Sequence, residues 1–151
     1  MSDTFYQKLT AIRHHIHQHP EVSEKEYNTT RFIKEQLQNI GIEPLDYPLK
    51  TGVIAEIGHG YPIIALREDI DALPIFEKTG LAYASDNGAM HACGHDFHQT
   101  SLLGAAERLK QQEATLKGTV RLIFQVAEEN LQGGHQVIAA GGIEGVSAIV
   151  G

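Results

Sequence analysis

The only cysteine of this 151-residue chain, Cys93, lies two residues before His95 in the stretch MHACGHD. Such a thiol can serve as a nucleophile, a redox switch or a metal ligand, or it can fill space in a core. Side chains two residues apart rarely form a nucleophile–base pair, and a redox pair needs a second cysteine. Thiolate, imidazole and carboxylate groups together are typical of a metal site. The spacing therefore favours a ligand role for Cys93 and His95, with a buried structural thiol as the alternative.

Two pairs of carboxylates stand where predicted strands end. Asp69 and Asp71 close the run IIALREDID, and Glu128 and Glu129 follow the run RLIFQVA. Ligand sites in α/β sheets form beyond the carboxyl ends of strands, so these acids can converge with the cysteine-containing loop. One glutamate can then bind a cation while its neighbour carries a proton. The alternatives are turn and cap chemistry for the aspartates and a solvated acidic pair for the glutamates.

Four histidines near the N-terminus, at positions 14, 15, 17 and 19, have the composition of a metal cluster. Only His15 and His19 have the i, i+4 spacing that places two side chains on one helix face, and His17 points elsewhere. We therefore predict that these histidines are surface residues of a helix.

Apolar residues spaced by three and four predict helices on both sides of the strands. The first helix ends before Pro20, because the residue preceding a proline disfavours the helical conformation. The second helix begins with a predicted capping box, in which Ser23 is the cap and Glu26 completes the box, and it terminates at Gly41. A third helix follows Asp96, which is its predicted cap.

Short runs of branched aliphatic residues, bounded by glycine and proline, predict strands. They lie within residues 52–58, 61–69, 119–126 and 146–150, and a short helix is predicted at 134–140. Residues 73–96 show no clear period, and Asp86-Asn87-Gly88 indicates a turn. Because helices and strands alternate along the chain, we predict an α/β sandwich with a largely parallel sheet.

Composition and charge narrow the classes of partner. The chain is 42% hydrophobic and 21% charged, with a net charge of −7, as in an ordinary globular domain. The acidic balance argues against a nucleic-acid partner or an anionic membrane surface. No apolar run is long enough to cross a bilayer, and the N-terminus lacks the apolar region of a signal peptide. With one cysteine and hence no internal disulfide, we expect a cytoplasmic location.

Four separated stretches occur in the order of motifs from a known enzyme family. The stretches are HQHPEVSEKE, ALREDIDALPI, MHACGHDFHQTSLLGAA and GTVRLIFQVAEE. They closely resemble the amidohydrolase branch of the aminoacylase/carboxypeptidase family of metallopeptidases, which includes hippurate hydrolases, N-acyl-amino-acid deacylases and auxin-conjugate hydrolases. The resemblance implies a three-layer α/β/α sandwich with a largely parallel mixed sheet, as in the catalytic domain of that family.

The same resemblance implies a two-metal site and a role for each matched residue. Cys93, His95 and Glu129 are expected to bind metal, with zinc or manganese as the two divalent cations. Glu128 is expected to be the general base and Asp71 to belong to the catalytic group. The implied reaction is hydrolysis of the amide bond of a small-molecule N-acyl amino acid by metal-activated water.

Members of the family are more than twice as long as this chain. Residues 1–151 are therefore expected to form the N-terminal portion of the metal-dependent catalytic domain, with the inserted smaller domain and the C-terminal portion absent. Two further histidine ligands of the family lie beyond Gly151. Two expectations follow, an N-acyl-amino-acid amidohydrolase or a truncated, catalytically incompetent fragment that acts as a metal-binding or interaction module. The apolar final strand is also compatible with a homo-oligomer.

Overall fold

The computed structural model describes residues 3–151, which form helices and strands in the predicted order. Each predicted strand and helix is confirmed, with shifts of a few residues at its ends. The elements are α1 (Asp3–Gln18), α2 (Tyr27–Asn39), β1 (Val53–Gly58), β2 (Ile63–Asp69), α3 (His95–Gln111), β3 (Thr119–Gln125), α4 (Gly133–Ala139) and β4 (Val146–Val150), with a 3-10 turn at Glu113–Thr115.

The four strands of the described chain form one mixed sheet in the order β1-β3-β2-β4. Strand β2 runs parallel to both of its neighbours, β3 and β4, whereas β1 is antiparallel to β3. The largely parallel mixed sheet is therefore confirmed. In the β2–β3 register Asp69 lies opposite Gln125, so both strands end at the same edge. The segments that carry the predicted site residues leave the sheet there together.

Helices cover both faces of the sheet, which confirms the three-layer arrangement. Helices α1, α2 and α3 pack on one face, where Ile33 and Leu37 are fully buried against β1 and β3. On the other face Val137 of α4 packs against Ile54 and Ile123 in a smaller cluster. Removal of apolar side chains from water drives both layers onto the sheet.

The predicted capping box of α2 is wrong. The helix begins at Tyr27, and Glu26 occupies its N-cap position without a side-chain cap hydrogen bond. Ser23 instead donates from Oγ to Asp71 Oδ2 at 2.6 Å, and Glu26 accepts from the backbone of Ala127 at 2.9 Å. Both side chains satisfy buried partners far along the chain, and such partners outweigh a local cap that water could replace.

The predicted cap of α3 is wrong as well. The helix begins at His95 after Gly94, whose φ of 98° is readily adopted by glycine, and no side chain caps it. Asp96 lies in the first turn, is buried, and accepts a hydrogen bond from Arg13 Nε at 2.8 Å. Its carboxylate is therefore committed to α1 rather than to the backbone of its own helix.

The predicted helix ends and the irregular segment are confirmed. Helix α1 ends two residues before Pro20, and Gly41 follows α2 with a φ of 76°. Between β2 and α3 the described residues form no helix or strand, and two isolated bridges join Ala72 to Val22 and Leu73 to Met90. No helix within residues 3–151 is long and apolar enough to span a membrane.

Candidate metal centre

The carboxyl ends of β2 and β3 meet the start of α3, and the predicted site residues converge there. Cys93, His95 and Glu129 each offer one ligand atom, and these three atoms lie within 4.8 Å of one another. We call this set the inner trio. Asp69, His95 and Glu128 meet the same distance limit, and we call them the outer trio. His95 belongs to both trios.

The orientation of His95 is fixed by a backbone group. Its Nδ1 lies 2.8 Å from the carbonyl oxygen of Asp71, which can only accept, so Nδ1 carries the proton. Its Nε2 then faces the acid pair, 3.7 Å from Glu128 Oε2 and 4.0 Å from Glu129 Oε1. A metal-binding histidine commonly donates its other ring N–H to such a carbonyl. His95 therefore has one nitrogen available, and the two trios share it.

Asp71 contacts two members of the inner trio, His95 and Glu129. Its fully buried carboxylate accepts hydrogen bonds from Ser23 Oγ at 2.6 Å and from the backbone N–H of Glu129 at 3.0 Å. Burial acts to raise the pKa of Asp71, but the hydrogen bonds from His95, Ser23 and the backbone of Glu129 outweigh it and leave the pKa below its ordinary value. Asp71 thus remains a carboxylate and contacts both His95 and Glu129.

The pKa shifts of His95 and Cys93 argue against a thiol nucleophile. Burial acts to lower the pKa of His95, but its bonds to Asp71 and the nearby acids raise it to about 9. Desolvation and the charges of Glu129 and Glu128 raise the pKa of the Cys93 thiol, so it is not activated as a nucleophile requires. Cys93 is also exposed, which excludes the buried structural thiol. Cation binding would displace both protons.

The outer trio differs in its contacts. Asp69 accepts from Gln125 Nε2 at 3.1 Å and pairs with Arg67 at 2.5 Å, so one of its oxygens already has two partners. Burial raises the pKa of Asp69 to about 6 despite Arg67. Burial and the neighbouring Asp69 likewise raise the pKa of Glu68 to about 7, and its carboxylate lies 3.7 Å from His98.

Two buried oxygens at the site lack hydrogen-bond partners among the described residues. They are Asp71 Oδ1 and Glu129 Oε1. A buried polar atom without a partner is costly and calls for an unseen ion or water. Glu129 Oε1 faces His95 Nε2 beside Cys93, and sulfur, nitrogen and oxygen form a donor set that suits zinc. The residues of the inner trio therefore fit a divalent cation.

A backbone turn brings the adjacent acids to one side. Consecutive strand residues point to opposite faces, but β3 ends at Gln125, and Ala127 has a φ of 50°. Glu128 and Glu129 follow this turn and both approach His95. The Glu128 side chain is 35% exposed and that of Glu129 is 17% exposed. Of the two acids, Glu128 is the more accessible to solvent.

The prediction that the N-terminal histidines lie on the surface of a helix is wrong for His17. This side chain is buried, with Nδ1 2.8 Å from Asp96 Oδ2 and Nε2 3.0 Å from Glu77 Oε1. The irregular segment after β2 folds over α1 and encloses it, an arrangement with no local sequence signal. His15 and His19 are exposed, as predicted.

His91, the first histidine of MHACGHD, is also buried. Both of its ring nitrogens lack a hydrogen-bond partner within residues 3–151. Burial lowers the pKa of His91 to about 4, so it is neutral in the folded chain. Its place in MHACGHD, two residues before Cys93, is the sequence signal that associates it with the candidate site.

Comparison with known proteins identifies the family of the chain. The model of Peptidase family M20/M25/M40 matches residues 65–151, more than half of the chain, and the matched part contains every residue of both trios. The chain belongs to this family. Its members are described as peptidases, and the resemblance noted in the sequence is confirmed.

Curated relatives of this M20 chain are named as hydrolases of acylated amino acids. It is 53% identical over 151 residues to an N-acetyl-L-cysteine deacetylase of Bacillus subtilis, covering 98% of this chain and 36% of the relative. It is 43% identical over 147 residues to an N-acyl-L-amino acid amidohydrolase of Geobacillus stearothermophilus, covering 95% and 40%. The chain thus spans less than half the length of these relatives.

A solved structure extends the similarity to the backbone. A dinuclear metal-binding peptidase of the M20 family from Bacillus subtilis superimposes with a TM-score of 0.95 at 53% identity, over 98% of this chain and 43% of that one. A protein from methicillin-resistant Staphylococcus aureus whose name proposes an aminohydrolase gives a TM-score of 0.89 at 37% identity, over 97% of this chain and 41% of that one. The fold is therefore that of the corresponding part of an M20 peptidase.

Proposed function

We propose that this chain carries part of the active site of a metal-dependent amidohydrolase that cleaves N-acyl amino acids. The observation that carries the proposal is the inner trio, with Glu128 beside it and Asp71 holding His95. Residues 1–151 would be the N-terminal portion of the catalytic domain, in agreement with the share of its relatives that the chain spans.

Cys93, His95 and Glu129 would hold the first cation. Thiolate and imidazole favour zinc, whereas the carboxylates of the outer trio also suit manganese. When bound, a divalent cation lowers the pKa of water and stabilises negative charge that develops on a carbonyl oxygen. Asp71 would act through His95, because its carbonyl fixes the tautomer that leaves Nε2 free.

Glu128 would carry the proton. It is half-exposed, lies 3.7 Å from His95 Nε2, and has no hydrogen bond among the described residues that commits its carboxylate elsewhere. A general base needs access to water and a place within reach of the attacked carbonyl. Glu128 would accept a proton from water and deliver it to the departing amine.

The substrate class is supported by the relatives. Those named above act on N-acetylcysteine and N-acyl amino acids, and plant relatives from Arabidopsis thaliana that are 43% identical are named IAA-amino acid hydrolases. All of these names describe an amide bond between an acyl group and an amino acid. We assign the same bond to this chain.

A second candidate is a metal-binding module without turnover. It is favoured by the single available nitrogen of His95, which cannot complete both trios at once. In this case the chain would bind one cation firmly and hydrolyse nothing.

One experiment separates these candidates. The purified chain is titrated with zinc, and release of free amino acid from N-acetylcysteine and hippurate is followed with zinc or manganese present. Metal-dependent release supports the amidohydrolase, and firm binding without release supports the module. Asp46→Asn removes an exposed carboxylate elsewhere and serves as the matched control. If zinc binds no better to the parent chain than to Cys93→Ser, both candidates are wrong.

A further inference from the structure

Glu26 is a fully buried carboxylate at the start of α2 and belongs to neither trio. Its Oε1 accepts a hydrogen bond from the backbone N–H of Ala127 at 2.9 Å, across 101 positions of sequence. Its Oε2 accepts from Thr51 Oγ1 at 3.0 Å. Burial of a carboxylate is unfavourable unless its oxygens accept hydrogen bonds. These two contacts therefore stabilise Glu26 in its buried position.

Ala127 is held in a conformation that a non-glycine residue rarely adopts. Its φ is 50°, in the left-handed region, and such residues persist when the surrounding structure fixes them. Its carbonyl accepts hydrogen bonds from Gln132 at 3.1 Å and Gly133 at 3.0 Å. Gly133 allows this approach, because a Cβ there would come within 1.6 Å of the carbonyl oxygen of Val126. Glu26 bonds the N–H side of the same residue.

The turn at Ala127 directly precedes the acid pair. Glu129 belongs to the inner trio and Glu128 to the outer trio, although the two are neighbours in the chain. If Ala127 relaxed to an extended conformation, its successors would point to opposite sides, as strand residues do. The two carboxylates would then not both reach His95. The acceptor at the Ala127 N–H is therefore tied to the geometry of both trios.

We propose that Glu26 is a positioning residue that holds the turn at Ala127 and so directs Glu128 and Glu129 towards His95. What the role requires is a buried hydrogen-bond acceptor, not a negative charge. Burial raises the pKa of Glu26, so its surroundings do not favour the charged form. Glutamine can make both contacts, since its carbonyl can accept from Ala127 and its amide can donate to Thr51 Oγ1.

The test compares Glu26→Ala with Glu26→Gln in the full chain. The first readout is Co²⁺ affinity, followed by the thiolate-to-cobalt absorption that reports Cys93 ligation. This readout rests on the metal site proposed above. Loss of partners that orient ligands costs about 10–100-fold in metal affinity, and we expect a decrease of that order for Glu26→Ala. Glu26→Gln should retain the parent affinity.

The second readout needs no metal. Hydrogen exchange of the Ala127 amide should accelerate in Glu26→Ala and remain slow in Glu26→Gln. If the parent chain fails to bind Co²⁺, the proposed metal site is wrong, yet the exchange measurement still decides the role of Glu26 at the turn.

Leu37→Ala is the matched control for general destabilisation. Leu37 lies on α2 and is fully buried in the same hydrophobic cluster as Ala127, but it makes no hydrogen bond to Ala127 or to either trio. It should lower the urea midpoint of unfolding, as core truncations do, and leave the Co²⁺ affinity of the folded chain unchanged. An equal loss of affinity in Leu37→Ala and Glu26→Ala would overturn the proposal. So would equal losses in Glu26→Gln and Glu26→Ala, or unaltered exchange at Ala127.

Discussion

The inner and outer trios contain the same number of candidate ligands but differ in how they are held. In the inner trio His95 and Glu129 are both bonded to Asp71, and Glu129 Oε1 has no competing hydrogen bond in the described chain. In the outer trio Asp69 is already paired with Arg67 and Gln125, and Glu128 is the more exposed acid. Ligands that are oriented and free bind a cation at less cost. The first cation should therefore occupy the inner trio.

The largest expected effect separates the two acids that follow the turn. In a complete enzyme with the function proposed above, Glu128→Gln should lower turnover by about 10²–10⁴-fold, the usual contribution of a positioned proton carrier, while the first cation stays bound. Glu129→Gln should lose that cation as well, since it removes an inner ligand. Amide hydrolysis and metal content are measured on the same samples. Equal metal retention in both variants would contradict the assignment.

The next effect contrasts one ligand from each trio. Cys93→Ser should weaken the first zinc by on the order of a hundredfold or more, because losing a ligand exceeds the 10–100-fold cost of losing its outer partner. Asp69→Asn should leave this affinity nearly unchanged, because Asp69 is already paired with Arg67. Competition with a chromophoric chelator measures both. The comparison fails if Asp69→Asn weakens the first zinc as much as Cys93→Ser does.

A smaller effect concerns the anchor of the inner trio. In Asp71→Asn an amide can still accept from Ser23 and Glu129, but it loses the charge 3.5 Å from His95 Nδ1. We expect the first zinc to weaken by about 10–100-fold, as for other partners of metal-binding histidines. Glu68→Gln, at the outer side, serves as the control and should bind zinc like the parent chain.

Much of this arrangement could be predicted from the sequence, because strand ends and ligand types are local signals. The run IIALRED and the run RLIFQVA each show where a strand stops, and a parallel pair must then bring Asp69 and Glu128 to one edge. The nature of Cys93 and His95 as candidate ligands also needed no structure, since their spacing and chemistry lie within one short stretch.

The supports of the site could not be predicted in this way. Ser23 and Glu26 have the local pattern of a capping box, yet their partners lie 48 and 101 positions away. His17 has the spacing of a surface residue, yet Asp96 and Glu77 enclose it. The position of a buried polar side chain is set by its hydrogen-bond partner. When that partner is distant in sequence, the neighbouring residues give no sign of it.

The smallest expected effect concerns Glu77, which contacts His17 and, through it, Asp96, the residue after His95. Glu77 accepts hydrogen bonds from Thr79, His17 and the backbone N–H of Ser85. Burial opposes its charge, but these bonds lower the pKa of Glu77 to about 2 from an ordinary 4.5. The folded state therefore binds fewer protons, and this stabilisation is present above pH 4.5 and is lost as the pH falls towards 2.

Glu77→Gln removes this titration. Its urea midpoint should lie below that of the parent chain near neutral pH, and the difference should shrink as the pH falls through that window. Glu43→Gln, which changes an exposed acid on the surface, is the control. A difference that stays constant from neutral to acid pH would show that Glu77 does not contribute through its charge.

The distances in sequence across the site have a consequence for how the chain folds. Glu26 meets Ala127 across 101 positions, His17 meets Asp96 across 79, and Asp71 meets Glu129 across 58. Contacts between such distant segments raise contact order and form late, after the intervening chain is ordered. A nascent chain therefore offers a cation little beyond Cys93 and His95. Tight binding belongs to the finished fold, and a cation that binds only this state stabilises it by mass action.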